Sequence, residues 1–137
     1  MSDTFPRSSY EKVGGIVFFG RMLDKIRLHN QGTLPDDYNL GVGFDERCIK
    51  FLNIKYDELI ERVLQGGSDE DILAWCFDKG RKPSDNDIEI WNGFMTKVGW
   101  RDDNSEKLVE RKRLGGFTDR DDIQTNFDFH DADEGRI

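Results

Sequence analysis

The chain has 137 residues, a length that fits one domain able to bury about two-thirds of its unfolded surface. Its 20 basic and 28 acidic side chains leave a net charge of -8, which argues against a nucleic-acid surface spread over the whole protein, since phosphate binding draws on clustered Lys and Arg. The only two cysteines, Cys48 and Cys76, fit neither a disulfide framework nor a zinc knuckle, and no apolar run approaches the roughly 18 residues that a membrane span requires.

In chain order, residues 1–7 lack the basic-then-apolar order of a signal peptide, and a cytoplasmic protein is expected. A first long helix is predicted from about residue 10 to residue 30, after Ser8 or Ser9. Ile16, Phe19, Leu23 and Ile26 recur there at spacings of three and four, with Val17 and Met22 widening the stripe. Gly14, Gly15 and Gly20 interrupt the stripe, so the helix either begins later or has another backbone packed closely against it. Helical rhythm is lost over residues 32–44, where Leu40, Val42 and Phe44 alternate with Gly41 and Gly43, and a loop is expected. Asp45 reads as the cap of a short helix carrying Cys48, Ile49 and Leu52. Tyr56 or Asp57 opens another with Leu59, Ile60, Val63 and Leu64, stopped by Gly66 and Gly67.

A five-residue phrase then recurs: Ser68-Asp-Glu-Asp-Ile72, Ser84-Asp-Asn-Asp-Ile88 and, with one residue added, Thr118-Asp-Arg-Asp-Asp-Ile123. A Ser or Thr followed three positions on by a carboxylate satisfies unpaired N–H groups of a first helical turn and favours its positive dipole end, so each copy predicts a helix start. A calcium loop would need glycine at its sixth position and glutamate at its twelfth. Here those positions hold Ala74, Ile90 and Gln124, then Gly80, Thr96 and His130. The first copy launches Ile72, Leu73, Trp75, Cys76 and Phe77. The second sets Ile88, Trp91, Met95 and Val98 on one stripe, and the third starts a final helix in which Ile123, Phe127 and His130 share a face. Between the second and third copies, Asn104 or Ser105 starts a strongly charged, peripheral helix over residues 106–114. The basic runs Arg81-Lys82 and Arg111-Lys112-Arg113 lie near helix ends, where cations favour the negative pole.

The expected fold is therefore all-α, a compact single-domain bundle of about six or seven short helices over residues 1–137. One irregular extended segment lies near residues 32–44, and residues 131–137 form an acidic tail that frays. Residues 118–137 carry seven acids and two bases, so most of the net charge is terminal.

The stretches Tyr10-Glu-Lys-Val-Gly-Gly-Ile-Val, Gly20-Arg-Met-Leu-Asp-Lys-Ile-Arg27, Ile72-Leu-Ala-Trp-Cys76, Ile90-Trp-Asn-Gly-Phe94 and Asp119-Arg-Asp-Asp-Ile-Gln124 together resemble a bacterial family catalogued as domain of unknown function 5069. The resemblance covers nearly the whole chain. It implies one compact domain in a bacterial cytoplasm and supplies no activity, cofactor or catalytic residue.

Candidate sites rest on the residues themselves. Arg21 and Lys25, four positions apart, put two cations on one helix face, suited to an anionic ligand. Arg7 and Arg27 flank the same helix. Tyr38, Trp91, Asn92, Trp100 and Arg101 add large side chains with polar tips, the composition of a binding surface and equally of a core boundary. The ligand-binding candidates are Arg21, Lys25, Tyr38, Trp91, Asn92 and Arg101. A metal would draw on His130 with Asp119, Asp121 and Asp122, because only the third phrase has an added aspartate and a following histidine; His29 could join if the first and last helices met. Cys48, near a helix start, reads as a buried thiol before it reads as a nucleophile, since no base stands beside it. No nucleophile elbow, zinc-protease motif or phosphate loop occurs. The function expected is a non-catalytic binding or protein-interaction module, its partner another protein or a small anionic ligand. The alternative is a small metal-assisted or anion-processing enzyme.

Overall fold

Two adjacent glycines decide how the chain begins. Gly14 and Gly15 both take positive φ, 56° and 80°, the combination that a two-residue type I′ turn demands and that other residues resist. They join β1 (Lys12–Val13) to β2 (Ile16–Val17), paired antiparallel with Val13 opposite Ile16. The long first helix predicted from residue 10 is thereby corrected. Helix α1 spans Phe19–Asn30, and the apolar stripe that suggested an earlier start belongs partly to the hairpin. Gly20 does mark a close approach, but of a side chain: a Cβ there would come within 2.7 Å of the Arg7 guanidinium. The computed structural model describes residues 5–137; residues 1–4, part of the segment read for a signal peptide, lie outside them.

Six further helices follow: α2 (Phe44–Leu52), α3 (Tyr56–Leu64), α4 (Asp69–Lys79), α5 (Asp85–Met95), α6 (Ser105–Gly115) and α7 (Asn126–Asp133). The fold is thus predominantly helical, and residues 31–43 form the irregular segment that the glycine alternation predicts. Helices α4 and α5 start as the repeated phrase spells them. Ser68 accepts from Asp71 N while Asp71 accepts from Ser68 N, and Ser84 and Asp87 repeat the arrangement. Each box satisfies two otherwise unpaired donors.

The third copy departs from this pattern. Residues 118–124 form turns, and α7 begins later, capped by Thr125, whose hydroxyl accepts from Asp128 N. The backbone of the third phrase is engaged elsewhere: Lys112 donates to the carbonyls of Arg120 and Ile123, and Arg120 folds onto Asp122. Thr125-Asn-Phe-Asp128 is itself a Thr-x-x-Asp start, a shorter match to the same signal. Asp45 likewise is not a cap; α2 opens from Gly43, and the Asp45 carboxylate turns inward.

The main core gathers Ile16, Val17, Phe18 and Phe19 from the hairpin and the start of α1, Met22 and Leu23 farther along it, Leu52, Leu59, Ile72, Cys76 and Met95. Trp91 and Asn92 pin β2 to α5. The indole donates to Val17 O, while Asn92 accepts from Val17 N and donates to Gly15 O. A satellite cluster of Leu108, Ile123 and Ala132, with Phe117 and Phe129 against it, joins α6 to α7. The acidic tail expected to fray from residue 131 is instead held: Ala132 and Glu134 are buried, and Arg136 donates to Pro6 O. Among the described residues, no helix is long and apolar enough to cross a membrane.

Candidate functional site

Arg21 and Lys25 lie one turn apart on α1, both facing inward, 4% and 6% exposed. Burial of two cations is costly without partners, and each meets a carboxylate from a distant part of the chain. Arg21 donates from both terminal nitrogens to Glu134, just after α7, at 2.8 and 2.7 Å. Lys25 Nζ lies 2.8 Å from Asp45 Oδ1 in α2, outside the geometry of a directed hydrogen bond, so that this oxygen is compensated by charge. The irregular segment is tied to both pairs. Tyr38 donates to Glu134 at 2.5 Å, Lys25 donates to Asn39 O at 2.9 Å, and Gly41 N donates to the other Asp45 oxygen at 2.9 Å.

These contacts shift protonation in definite directions. Burial pushes Asp45 upward and Lys25 downward, each opposed by the other's charge. Burial also raises Glu134, but hydrogen bonds from Arg21, Tyr38 and Arg136 outweigh it and hold the carboxyl below its ordinary range. Burial and then Glu134 raise the Tyr38 phenol.

Above the two pairs opens a cleft of about 720 Å³. Phe18, Phe44 and Phe129 supply apolar surface; Arg47 enters from α2, Lys107 and Arg111 from α6, and Asp37 and Asp133 from the irregular segment and the end of α7. Among the described residues, no carboxylate lies within 4.0 Å of Arg47, Lys107 or Arg111, and no cation within 4.0 Å of Asp37 or Asp133. The cleft therefore has internally neutralised charges at its base and unneutralised ones around it.

His130 lines the same cleft, its Nδ1 2.7 Å from Ser9 Oγ and its ring edge-on to Phe44 at 5.8 Å. Burial lowers its pKa well below the usual histidine value, and the charges of Arg21, Lys25, Arg111 and Arg136 lower it further. The imidazole is neutral near pH 7. Ser9 is fully buried and positions the ring rather than facing the cleft.

The sequence candidates separate accordingly. Arg21, Lys25, Tyr38 and His130 converge on the cleft. Trp91 and Asn92 hold the hairpin, with Trp91 stacked on Phe51 at 4.5 Å between centroids. Arg101 lies over Trp100 beside a separate shallow depression. Asp119, Asp121 and Asp122 are exposed on the turn before α7, where Arg120 pulls the Asp122 carboxyl down to about 2. Among the described residues, no group of three or more His, Cys, Asp or Glu is placed to hold a metal ion. His29 is exposed at the end of α1. Cys48 is fully buried, its thiol pushed well above its ordinary range by burial, and Cys76 is pushed up to about 12 by the same cause. Arg47 and Lys107 are not among the candidates, and Asp45, Arg111 and Glu134 read in the sequence chiefly as a cap, a helix-end cation and part of the acidic tail. Their contribution depends on the meeting of α2, α6 and α7, which spacing within one helix does not reveal.

No curated protein matches the chain. Residues 3–136 match the family described as domain of unknown function (DUF5069), so nearly the full length is covered and the chain belongs to that family.

Proposed function

We propose that the protein is a cytoplasmic bacterial binding module whose cleft takes a small anionic ligand. The observation that carries this reading is the set of Arg47, Lys107 and Arg111, three cations without a carboxylate partner among the described residues, around aromatic surface in a protein of net charge -8. Clustered cations beside low-dielectric aromatic surface concentrate a counter-ion, and Arg recognises carboxylate or phosphate through paired N–H groups. Arg21 and Lys25, the cations singled out by spacing, are occupied by Glu134 and Asp45. Their role is to build the cleft and hold its irregular wall in place.

Calorimetric titration with phenyl phosphate and with inorganic phosphate tests the reading. Binding of phenyl phosphate should weaken three- to tenfold on Lys107→Ala or Arg111→Ala, and phenyl phosphate should bind more tightly than phosphate because of Phe44 and Phe129. Absence of binding, or affinity indifferent to both substitutions, contradicts it. One observation favours a second reading, an anion-processing enzyme: the neutral His130 faces the same cleft and is able to exchange a proton with a bound group. Chemical change of a bound anion that stops on His130→Phe would support that reading over simple binding.

A further inference from the structure

We infer that the cleft is built for a zwitterion, with the ligand's anionic group against Arg47, Lys107 and Arg111, its ammonium group between Asp37 and Asp133, and its apolar part on Phe44. This rests on the reading of the cleft as an anion site and narrows it. Where this chain neutralises a buried cation it does so at contact distance, as 2.7 Å for Arg21 with Glu134 and 2.8 Å for Lys25 with Asp45 show. The remaining charges of the same cleft are treated differently. Three cations and two carboxylates line one space, yet among the described residues none of them has an opposite charge within 4.0 Å.

The two signs also come from different elements. The cations stand on α2 and α6, and the carboxylates on the irregular segment and the last residue of α7. Asp133 feels the Asp37 charge, since burial and then that charge raise the Asp133 carboxyl. Like charges held near each other favour a cation between them. A ligand that carries only negative charge would satisfy the basic side and face uncompensated repulsion from the acidic side, a disfavouring element that binding sites use for specificity. A ligand with both charges satisfies the two sides at once. The volume of about 720 Å³ is that of a small-molecule site and leaves room for a side group the size of a phenyl ring on the aromatic surface.

Calorimetry with the full chain discriminates between charge patterns. L-phenylalanine, 3-phenylpropionate and phenethylamine differ in which charge they carry, and O-phosphoethanolamine against inorganic phosphate repeats the comparison for a phosphate anion. At least one zwitterion should bind tenfold or more tightly than its anion-only counterpart, which identifies the anion as carboxylate or phosphate. The Asp37→Asn, Asp133→Asn double variant, at exposed positions and checked for an unchanged melting temperature, should lose that advantage while keeping or improving affinity for the anion-only probe. Anion-only probes that bind as tightly as both zwitterions overturn the inference and leave the anion reading standing. A zwitterion advantage untouched by the double variant overturns the placement of the ammonium group. No binding of any anionic or zwitterionic probe overturns both readings.

Discussion

Glu134 is the convergence point of three side-chain donors, Arg21, Tyr38 and Arg136. Its charge is the partner of a buried guanidinium, and removing it strands a cation away from water. Glu134→Gln should therefore destabilise by about 3–5 kcal/mol, measured by urea unfolding, and a loss below about 1 kcal/mol, the level of an exposed pair, would show that the pair is not buried in solution. Because the folded carboxyl is held below its ordinary value, its contribution is complete above the unfolded glutamate pKa of about 4.3 and is lost as pH falls through the lower folded value. His130 works in the same direction at higher pH. Its folded pKa is depressed, so below about pH 6.5 the unfolded state binds the proton first, and stability declines by up to about 1.4 kcal/mol per pH unit. Unfolding free energies measured between pH 7.5 and 5 should show that slope in the parent and a shallower one in His130→Gln. An identical slope in both would mean that the imidazole is not buried against the neighbouring cations.

At the scale of elements, the corrected start of α7 yields a direct comparison. Thr125→Ala removes a hydroxyl that accepts from Asp128 N and should cost about 1 kcal/mol, whereas Thr118→Ala, in a turn with no capping bond, should change stability by less than about 0.5 kcal/mol. Reversal of that order in thermal melts would restore the longer phrase as the cap. Gly80 has a different constraint. A Cβ there would stand 2.0 Å from Leu52 O, a backbone atom that also accepts from Arg81 N. Gly80→Ala should therefore cost about 2 kcal/mol or more by forcing the α2 and α4 ends apart, and a melting temperature within a degree of the parent would refute the close approach. Helices α4 and α5 were legible because each of their signals is local: cap, acidic first turn and apolar stripe all lie within about a dozen residues. The hairpin was not, because β2 and the first turn of α1 form one continuous apolar run from Ile16 to Phe19, and period alone does not divide a buried strand from a buried helix. The glycine pair is visible in the sequence, but its positive φ values are a property of the folded turn.

For the whole molecule, net charge concealed the pattern that matters. The acidity concentrated in residues 118–137 suggested an acidic site there, yet Asp119, Asp121 and Asp122 remain on the surface while Glu134 turns inward to neutralise Arg21. Arg21, Lys25 and Tyr38 were legible as cleft residues because they are amphipathic side chains on or beside one helix. Arg47, Lys107 and Arg111 were not, since two helices some 60 positions apart supply them and the latter two sit in a stretch that reads as an ordinary solvated helix. Site residues drawn from separate elements become visible only once those elements pack. The proposed anion-binding role of the cleft is tested most directly by backbone amide chemical-shift mapping during titration with phenyl phosphate. The predicted result is a saturable set of shifts confined to the first turns of α2, to Lys107–Arg111 in α6 and to His130, with residues of α3 and α4 unmoved. Shifts that are absent, or spread evenly over exposed cations such as Lys50, Lys79 and Lys97, would contradict it.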